Sequence, residues 1–241
     1  MDKIEGATAI VTGGGTGIGA AISQTLGQMG VNVVVCGRRQ PPLSATVDAI
    51  RAARGQASGV RADVSREEDV DRVVRTTIDT YGGVDILVNN AAIYAGGAIH
   101  SHSVATWDQV MAVNLRGPFL LARAVLPYMR NKRRGHIVNI SSESGIEHFS
   151  GDGVYGVSKH ALHALSEYIQ RENQEYGIRV DVICPGMVVT EMTADERGFD
   201  PRKALYPQDV ADLVVWLITR RDNIKIGAPV LMQTMLNPWR T

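Results

Sequence analysis

The chain has 241 residues, 44% of them hydrophobic, and no Pro/Gly/Ser-rich linker, which is enough to bury one large core as a single α/β domain over 1–241. Lys plus Arg and Asp plus Glu balance at 25 each, so no global field draws the chain to nucleic acid or a membrane surface, and small molecules are the expected partners. The first residues, Met1 to Gly6, show neither the basic start nor the apolar stretch of a signal peptide. No later apolar run approaches the ~20 residues of a membrane span, and the expectation is a cytoplasmic protein.

Apolar runs of strand length fall at 7–12, 31–36, 57–62, 84–88, 136–141, 178–184 and 228–232. Helical patterns lie between them, near 17–29, 43–54, 66–80, 104–129, 154–176 and 207–220, with Pro207 suited to a first helical turn. This alternation predicts a doubly wound parallel sheet of about seven strands flanked by helices, a Rossmann-like α/β fold. In such a sheet ligands bind beyond the carboxyl ends of the strands. Gly13 to Gly19, Gly37-Arg38, Asp63, Asn89 to Ala91, Ser141-Ser142 and Pro185-Gly186 all fall there.

The first strand runs into Thr12-Gly13-Gly14-Gly15-Thr16-Gly17-Ile18-Gly19 and then a helix. Glycines let the backbone approach a pyrophosphate, and the free N–H groups and dipole of the helix favour its charge. Gly13, Gly15, Thr16, Gly17, Ile18 and Gly19 are therefore candidate cofactor contacts. After the second strand, where an acidic residue would accept from a ribose 2′-OH, the chain has Gly37-Arg38-Arg39. Arg38 and Arg39 either grip a 2′-phosphate, favouring NADP(H) with NAD(H) still possible, or are solvated charges at the start of a loop. Asn89 and Asn90 end an apolar strand and are read as holding backbone beside the cofactor. Cys36 and Cys184 lack metal-ligand spacing and are read as buried packing thiols. None of the six histidines has an acidic or cysteine partner at ligand spacing, so no metal site is expected.

Tyr155 and Lys159 are four residues apart on a predicted helix and share one face. A phenol of pKa about 10 must come down to about 7, a change of about 4 kcal/mol, to act as an acid and base near neutrality. A lysine ammonium ~4 Å away, at an effective dielectric of ~20, supplies up to about 4 kcal/mol. In Val113-Asn114-Leu115-Arg116-Gly117-Pro118, Pro118 has no N–H to offer the carbonyl of residue 114, which leaves that carbonyl free for a water.

The glycine loop in its Thr-Gly-x-x-x-Gly-x-Gly form, Asn89-Asn90-Ala91, the Ser142/Tyr155/Lys159 set and Pro185-Gly186 together resemble the short-chain dehydrogenase/reductase family over about residues 5 to 232. The resemblance implies an NADP(H)-dependent enzyme that moves a hydride between nicotinamide and a carbonyl or secondary alcohol. It selects Ser142 over Ser141 as the serine that steadies the substrate oxygen, makes Tyr155 the proton carrier, and gives Lys159 the tasks of lowering the tyrosine pKa and holding the nicotinamide ribose. It places a water on Asn114 as part of a proton path, and makes Asp63-Val64 an adenine contact, although Asp63 is equally a helix N-cap by its position. Asn90 and Ala91 lie beside the cofactor, with Ala92 standing where relatives more often have glycine. Pro185, Gly186, Val188 and Thr190 form the loop that meets the nicotinamide, and 190–206 is the expected substrate lid. His148 and Glu143 are the substrate contacts to watch.

Two further readings stay open. One is reduction of 3-oxoacyl groups on acyl carrier protein, with Arg130, Lys132, Arg133, Arg134 and Arg171 as docking charges that helix-dipole compensation explains equally well. The other is a non-catalytic nucleotide-binding protein, against which the retained Ser, Tyr and Lys argue. The resemblance also implies a homotetramer, or else a dimer, built through the helices at 104–129 and 154–176 and the last strand. Met235, Leu236 and Trp239 are expected to pack on a neighbouring subunit or beside the lid.

Overall fold

The computed structural model describes residues 4–194, 199–227, 229–235 and 238. Seven strands alternate with helices: β1 (Thr8–Thr12), α1 (Gly17–Gln28), β2 (Asn32–Gly37), α2 (Gln40–Ala52), β3 (Ala57–Arg61), α3 (Glu67–Tyr81), β4 (Ile86–Asn89), α4 (Val104–Met111), α5 (Gly117–Lys132), β5 (Gly135–Ile140), α6 (Gly153–Asn173), β6 (Ile178–Pro185), α7 (Pro207–Ile218) and β7 (Val230–Met232). The strands form one sheet in the order β3-β2-β1-β4-β5-β6-β7, and every neighbouring pair is parallel. This is the seven-stranded, doubly wound architecture that the alternation predicts.

Strand composition explains the two-sided burial. Ala9, Val11, Val33 and Val35 face α1, α2 and α7, where Ile22, Leu26, Val47 and Val214 meet them. Ile10, Val34 and Cys36 face α3, α5 and α6, packing with Val73, Val125, Met129 and Ile169. Because successive side chains alternate faces, a strand covered on both sides must be apolar throughout, which is why the runs are continuous rather than alternating.

Two elements depart from the periodicity. α2 begins at Gln40, not 43, because Pro41 and Pro42 occupy its first turn, where a missing N–H costs nothing. The predicted helix 104–129 is two α-helices joined by a π-helical turn, Ala112–Arg116, ending just before Pro118. Counted as one, Val104 to Lys132 spans 29 residues and is long and apolar enough to cross a membrane. The expectation concerned uninterrupted apolar runs, and Asp108, Arg116, Arg123 and Arg130 interrupt this one. Half of its most apolar window is buried in the protein, a placement shared by core helices of folded domains.

Candidate active site

The glycine turn after β1 is held from behind. Asn90 Nδ2 donates to the carbonyls of Thr12 at 3.0 Å and Gly13 at 3.4 Å, while Thr12 Oγ1 accepts the N–H groups of Asn90 and Ala91, each at 3.0 Å. Gly13 has φ +62°, and a Cβ there would stand 2.8 Å from Asn90 Nδ2. A Cβ on Gly19 would be 2.3 Å from the Gly13 carbonyl oxygen, so this glycine lets α1 pack against the turn. Thr16 caps α1 with no side-chain hydrogen bond, which leaves the first-turn N–H groups to an anionic ligand. Asn89 turns the other way and donates to Asn139 Oδ1 at 2.8 Å, so of the two adjacent amides Asn90 is the one at the turn.

From this turn a cleft of about 640 Å³ crosses the carboxyl ends of the strands. Gly13, Thr16, Gly17 and Ile18 line one part, and Arg38, Arg39, Asp63 and Val64 the part over β2 and β3. Asn90 and Ala91 lie at its middle, and Tyr155, Lys159 and Thr190 at its far end. Gly15, Gly19, Asn114, Ser142, Pro185, Gly186 and Val188 are not among the residues lining it. Gly15 instead faces Pro42 of α2, and Val188 is buried and bridged to Leu205.

The two arginines separate. Arg39 pairs with Glu191 at 2.7 Å, at the start of the expected lid, whereas no acid among the described residues pairs with Arg38. Arg38 is exposed and borders the cleft. Asp63 is not the cap of α3, since that position belongs to Arg66. Its Oδ1 accepts the N–H and O–H of Ser65 at 2.9 and 2.7 Å, and its own N–H donates to Asp69 at 2.8 Å.

At the far end, α6 presents Tyr155 and Lys159 against the loop after β5. Ser142 Oγ accepts the N–H of Ser144 at 3.1 Å and is near enough to Tyr155 to lower its pKa. Ser141 points elsewhere, to His163 Nε2 at 2.7 Å, so the two serines are distinguished by geometry. Lys159 Nζ donates to the Ile140 carbonyl at 2.9 Å and lies 5.5 Å from the Tyr155 ring centre.

Burial raises the phenol, only 9% exposed, to about 12, with Asp152 and Glu143 adding to the effect and Ser142 opposing it. Burial lowers Lys159 to about 8. The expectation that Lys159 lowers Tyr155 is therefore corrected for the protein's own groups. Its ammonium is tethered to a carbonyl at the level of the ring, and loss of hydration of the phenolate outweighs its attraction.

Asn114 is buried behind the cleft. Its Oδ1 accepts from Ile93 N at 2.9 Å, and its Nδ2 donates to Ile93 O at 2.9 Å and Ser158 Oγ at 3.0 Å. The side chain thus clamps the strand-end loop to α6, a role that linear reading of its carbonyl does not suggest. The same reading misses Tyr94, whose ring meets Tyr155 edge-on at 5.3 Å, and Asp152, which accepts from Tyr94 Oη and Ser144 Oγ, both at 2.8 Å. No local pattern marks either residue, because their partners are 58 and 8 positions away. His148 stacks on His160 at 4.9 Å and does not line the cleft. Of the lid residues, Asp195, Glu196 and Arg197 lie outside the described residues, as do Leu236 and Trp239 of the tail. Met235 is fully exposed, while Thr234 Oγ1 donates to Lys203 O and Asp200 N to Pro238 O, so this part of the tail lies beside the lid. Cys36 and Cys184 are both free and buried.

The profile of the short chain dehydrogenase family matches residues 7–200. An uncharacterized oxidoreductase of Staphylococcus epidermidis is 35% identical over 227 residues, covering 94% of this chain and 97% of that protein. The chain belongs to the short-chain dehydrogenase/reductase family. Among solved structures, a metagenomic short-chain oxidoreductase in complex with NADP is 34% identical, with TM-score 0.85, over 97% of this chain and 99% of that one. Levodione reductase superposes with TM-score 0.85 at 28% identity, over 90% and 92% of the two chains. Actinorhodin polyketide ketoreductase with NADPH gives 0.83 at 31% identity, over 88% and 90%. The protein is accordingly an NAD(P)-dependent oxidoreductase of this family.

Proposed function

We propose that the protein transfers a hydride between NADP(H) and a carbonyl or secondary alcohol, with Ser142, Tyr155 and Lys159 as catalytic residues. The observation that carries this reading is the pairing of Tyr155 and Lys159, 5.5 Å from ring centre to ammonium, in a cleft that starts on the glycine turn, with Ser142 near enough to pull the Tyr155 pKa down. The residues fit a dinucleotide: Gly13 leaves room that a Cβ would fill, α1 offers uncapped N–H groups, and Arg38 borders the cleft where an acid would disfavour a 2′-phosphate. When bound, the nicotinamide supplies the hydride to the carbonyl carbon or takes it back.

Ser142 Oγ donates to the substrate oxygen and stabilises the charge developing there. Tyr155, whose pKa of about 12 keeps its proton at neutral pH, delivers that proton to the oxygen during reduction. Lys159 holds the nicotinamide ribose and adds positive charge near the phenol as the cleft closes. Thr190, Pro185, Gly186 and Val188 shape the loop over the nicotinamide, Asp63 and Val64 meet the adenine, and Asn114 keeps the loop at Ile93 in register. Arg38 gives the preference for NADP(H); Arg39 contributes once released from Glu191.

The whole chain acts as one domain with its lid at 190–206, in the cytoplasm, on a small molecule. A groove of about 710 Å³ lined by Met111, Leu115, Phe119, Ala161 and Leu165 runs between the 104–132 helix and α6. It supports self-association through these helices into a tetramer or dimer. The docking charges of the carrier-protein reading end α5 and α6, at the amino ends of β5 and β6, away from the cleft. Lys132 and Arg134 pair with Asp85, and Arg171 with Glu167. The test is NADPH consumption with a panel of ketones, followed by identification of the alcohol formed. Tight NADPH binding with no turnover of any ketone, and none of any alcohol with NADP, would overturn the reading.

A further inference from the structure

One ionisable side chain close enough to Tyr155 to raise its pKa has no task in moving a hydride or a proton. Glu143 follows Ser142 directly, and its Oε2 accepts a hydrogen bond of 2.7 Å from Gln233 Nε2, 90 residues away. A Cβ at Gly186 would lie 3.0 Å from that same oxygen, so the carboxylate sits between the end of β5 and the end of β6. Tyr155 lines the cleft, while Ser142, Glu143 and Gln233 are not among its lining residues. The carboxylate is half-buried, which raises its pKa, and its charge in turn raises that of Tyr155, so it is in electrostatic reach of the reacting position.

Among the described residues no Lys or Arg pairs with Glu143, and no protein donor is seen on its Oε1. Oε1 is not among the buried side-chain oxygens left without a partner, so it is open to solvent, and a ligand hydroxyl that takes the place of its water makes a charge-assisted hydrogen bond. A ligand that brings a second negative charge is repelled instead.

Resting on the carbonyl reading above, we propose that Glu143, steadied by Gln233, determines specificity by accepting a hydrogen bond from a hydroxyl next to the reacting carbonyl. The substrates are then α-hydroxy ketones, and vicinal diols in the reverse direction, and ketones carrying a carboxylate are rejected. In reduction the hydride adds to the carbonyl carbon, the Tyr155 proton goes to its oxygen, and the neighbouring hydroxyl stays unchanged. The products are the diol and the oxidised nicotinamide.

The test compares kcat/KM with NADPH for four phenyl ketones that differ in one α-substituent: methyl, hydroxyl, trimethylammonio or carboxylate. Hydrogen bonds to a charged group make a preference of about tenfold or more for hydroxyl over methyl the expected result, with the carboxylate poorest. Glu143→Leu is expected to bring the hydroxyl-to-methyl ratio close to one and to narrow the penalty on the carboxylate. Glu143→Gln, which keeps an acceptor but no charge, is expected to retain most of the hydroxyl preference while admitting the carboxylate. Fluorescence titration of NADPH, unchanged in both variants, establishes that they fold and bind.

An unaltered hydroxyl preference in Glu143→Leu, or an equal fall on all four ketones, overturns the proposal. So does a wild-type preference for the trimethylammonio ketone over the hydroxy ketone, since that is recognition by charge without a donor. Turnover of these ketones without hydroxyl preference leaves the carbonyl reading standing and defeats this one. No turnover of any ketone or alcohol defeats both.

Discussion

The two ends of the cleft are built in opposite ways. The glycine turn is made of backbone from consecutive residues, 12 to 19, with Asn90 as one distant brace. Around Tyr155 the structure is built from side chains at scattered positions: Tyr94, Ser142, Glu143, Asp152 and Gln233. A site that recognises a shared pyrophosphate needs a fixed backbone shape, whereas a site that selects one substrate needs side chains that vary independently. The difference shows why cofactor class is easier to infer than substrate class.

The largest effect expected from breaking this contrast is at the proton donor. Tyr155→Phe removes the hydroxyl and is expected to lower kcat by about 10²- to 10⁴-fold with little change in NADPH affinity. Stopped-flow hydride transfer measures the first and fluorescence titration the second. Retention of more than about a tenth of wild-type kcat defeats the assignment.

Gly13→Ala addresses the backbone end. Its Cβ would crowd Asn90 Nδ2 at 2.8 Å and force an L side chain to a positive φ, at about 1–2 kcal/mol. We expect NADPH and NADH to weaken together by about tenfold, and equal affinities in wild type and variant would show that the turn is not the phosphate cradle. Arg38→Ala sharpens the same comparison, because a side chain that grips one phosphate affects one cofactor. NADPH binding is expected to weaken by about ten- to a hundredfold while NADH stays nearly unchanged. Equal losses for both cofactors would make Arg38 structural.

The smallest effect is on stability. His163 is held down to about 4, first by burial and then by the nearby charges of His160 and Lys159, against an ordinary value of 6.5. Between these values the unfolded chain binds the proton and the folded chain does not. Stability from this group therefore rises with pH across that window and is lost on acidification. Melting temperature is expected to fall less steeply from pH 6.5 to 4.5 in His163→Gln than in wild type. Parallel slopes would place the acid sensitivity elsewhere.

Legibility in the sequence follows the same division. The succession of strands, their parallel sense and the glycine turn are readable because continuous apolar runs, helical periodicity and a local motif encode them. Ser142 is separated from Ser141 by its spacing to Tyr155 under the family resemblance, and the structure turns the two hydroxyls to different partners, the Ser144 N–H and His163. Spacing alone misjudges the electrostatics of Tyr155, because a lysine four residues away says nothing about where its ammonium is tethered or how dry the phenol is. The substrate end is hidden for a related reason: Glu143 and Gln233, or Tyr94 and Asp152, meet through the fold and carry no mark of each other in the chain.

The sheet order also sets a timetable. β1 lies between β2 and β4, and the bonds that brace the glycine turn come from residues 90 and 91, so the first strand stays half-paired until β4 has been synthesised. During synthesis from the amino terminus, the bonds that brace the glycine turn can form once residues up to 91 of these 241 are available. Glu143 waits longer for its brace, because Gln233 follows it by 90 residues.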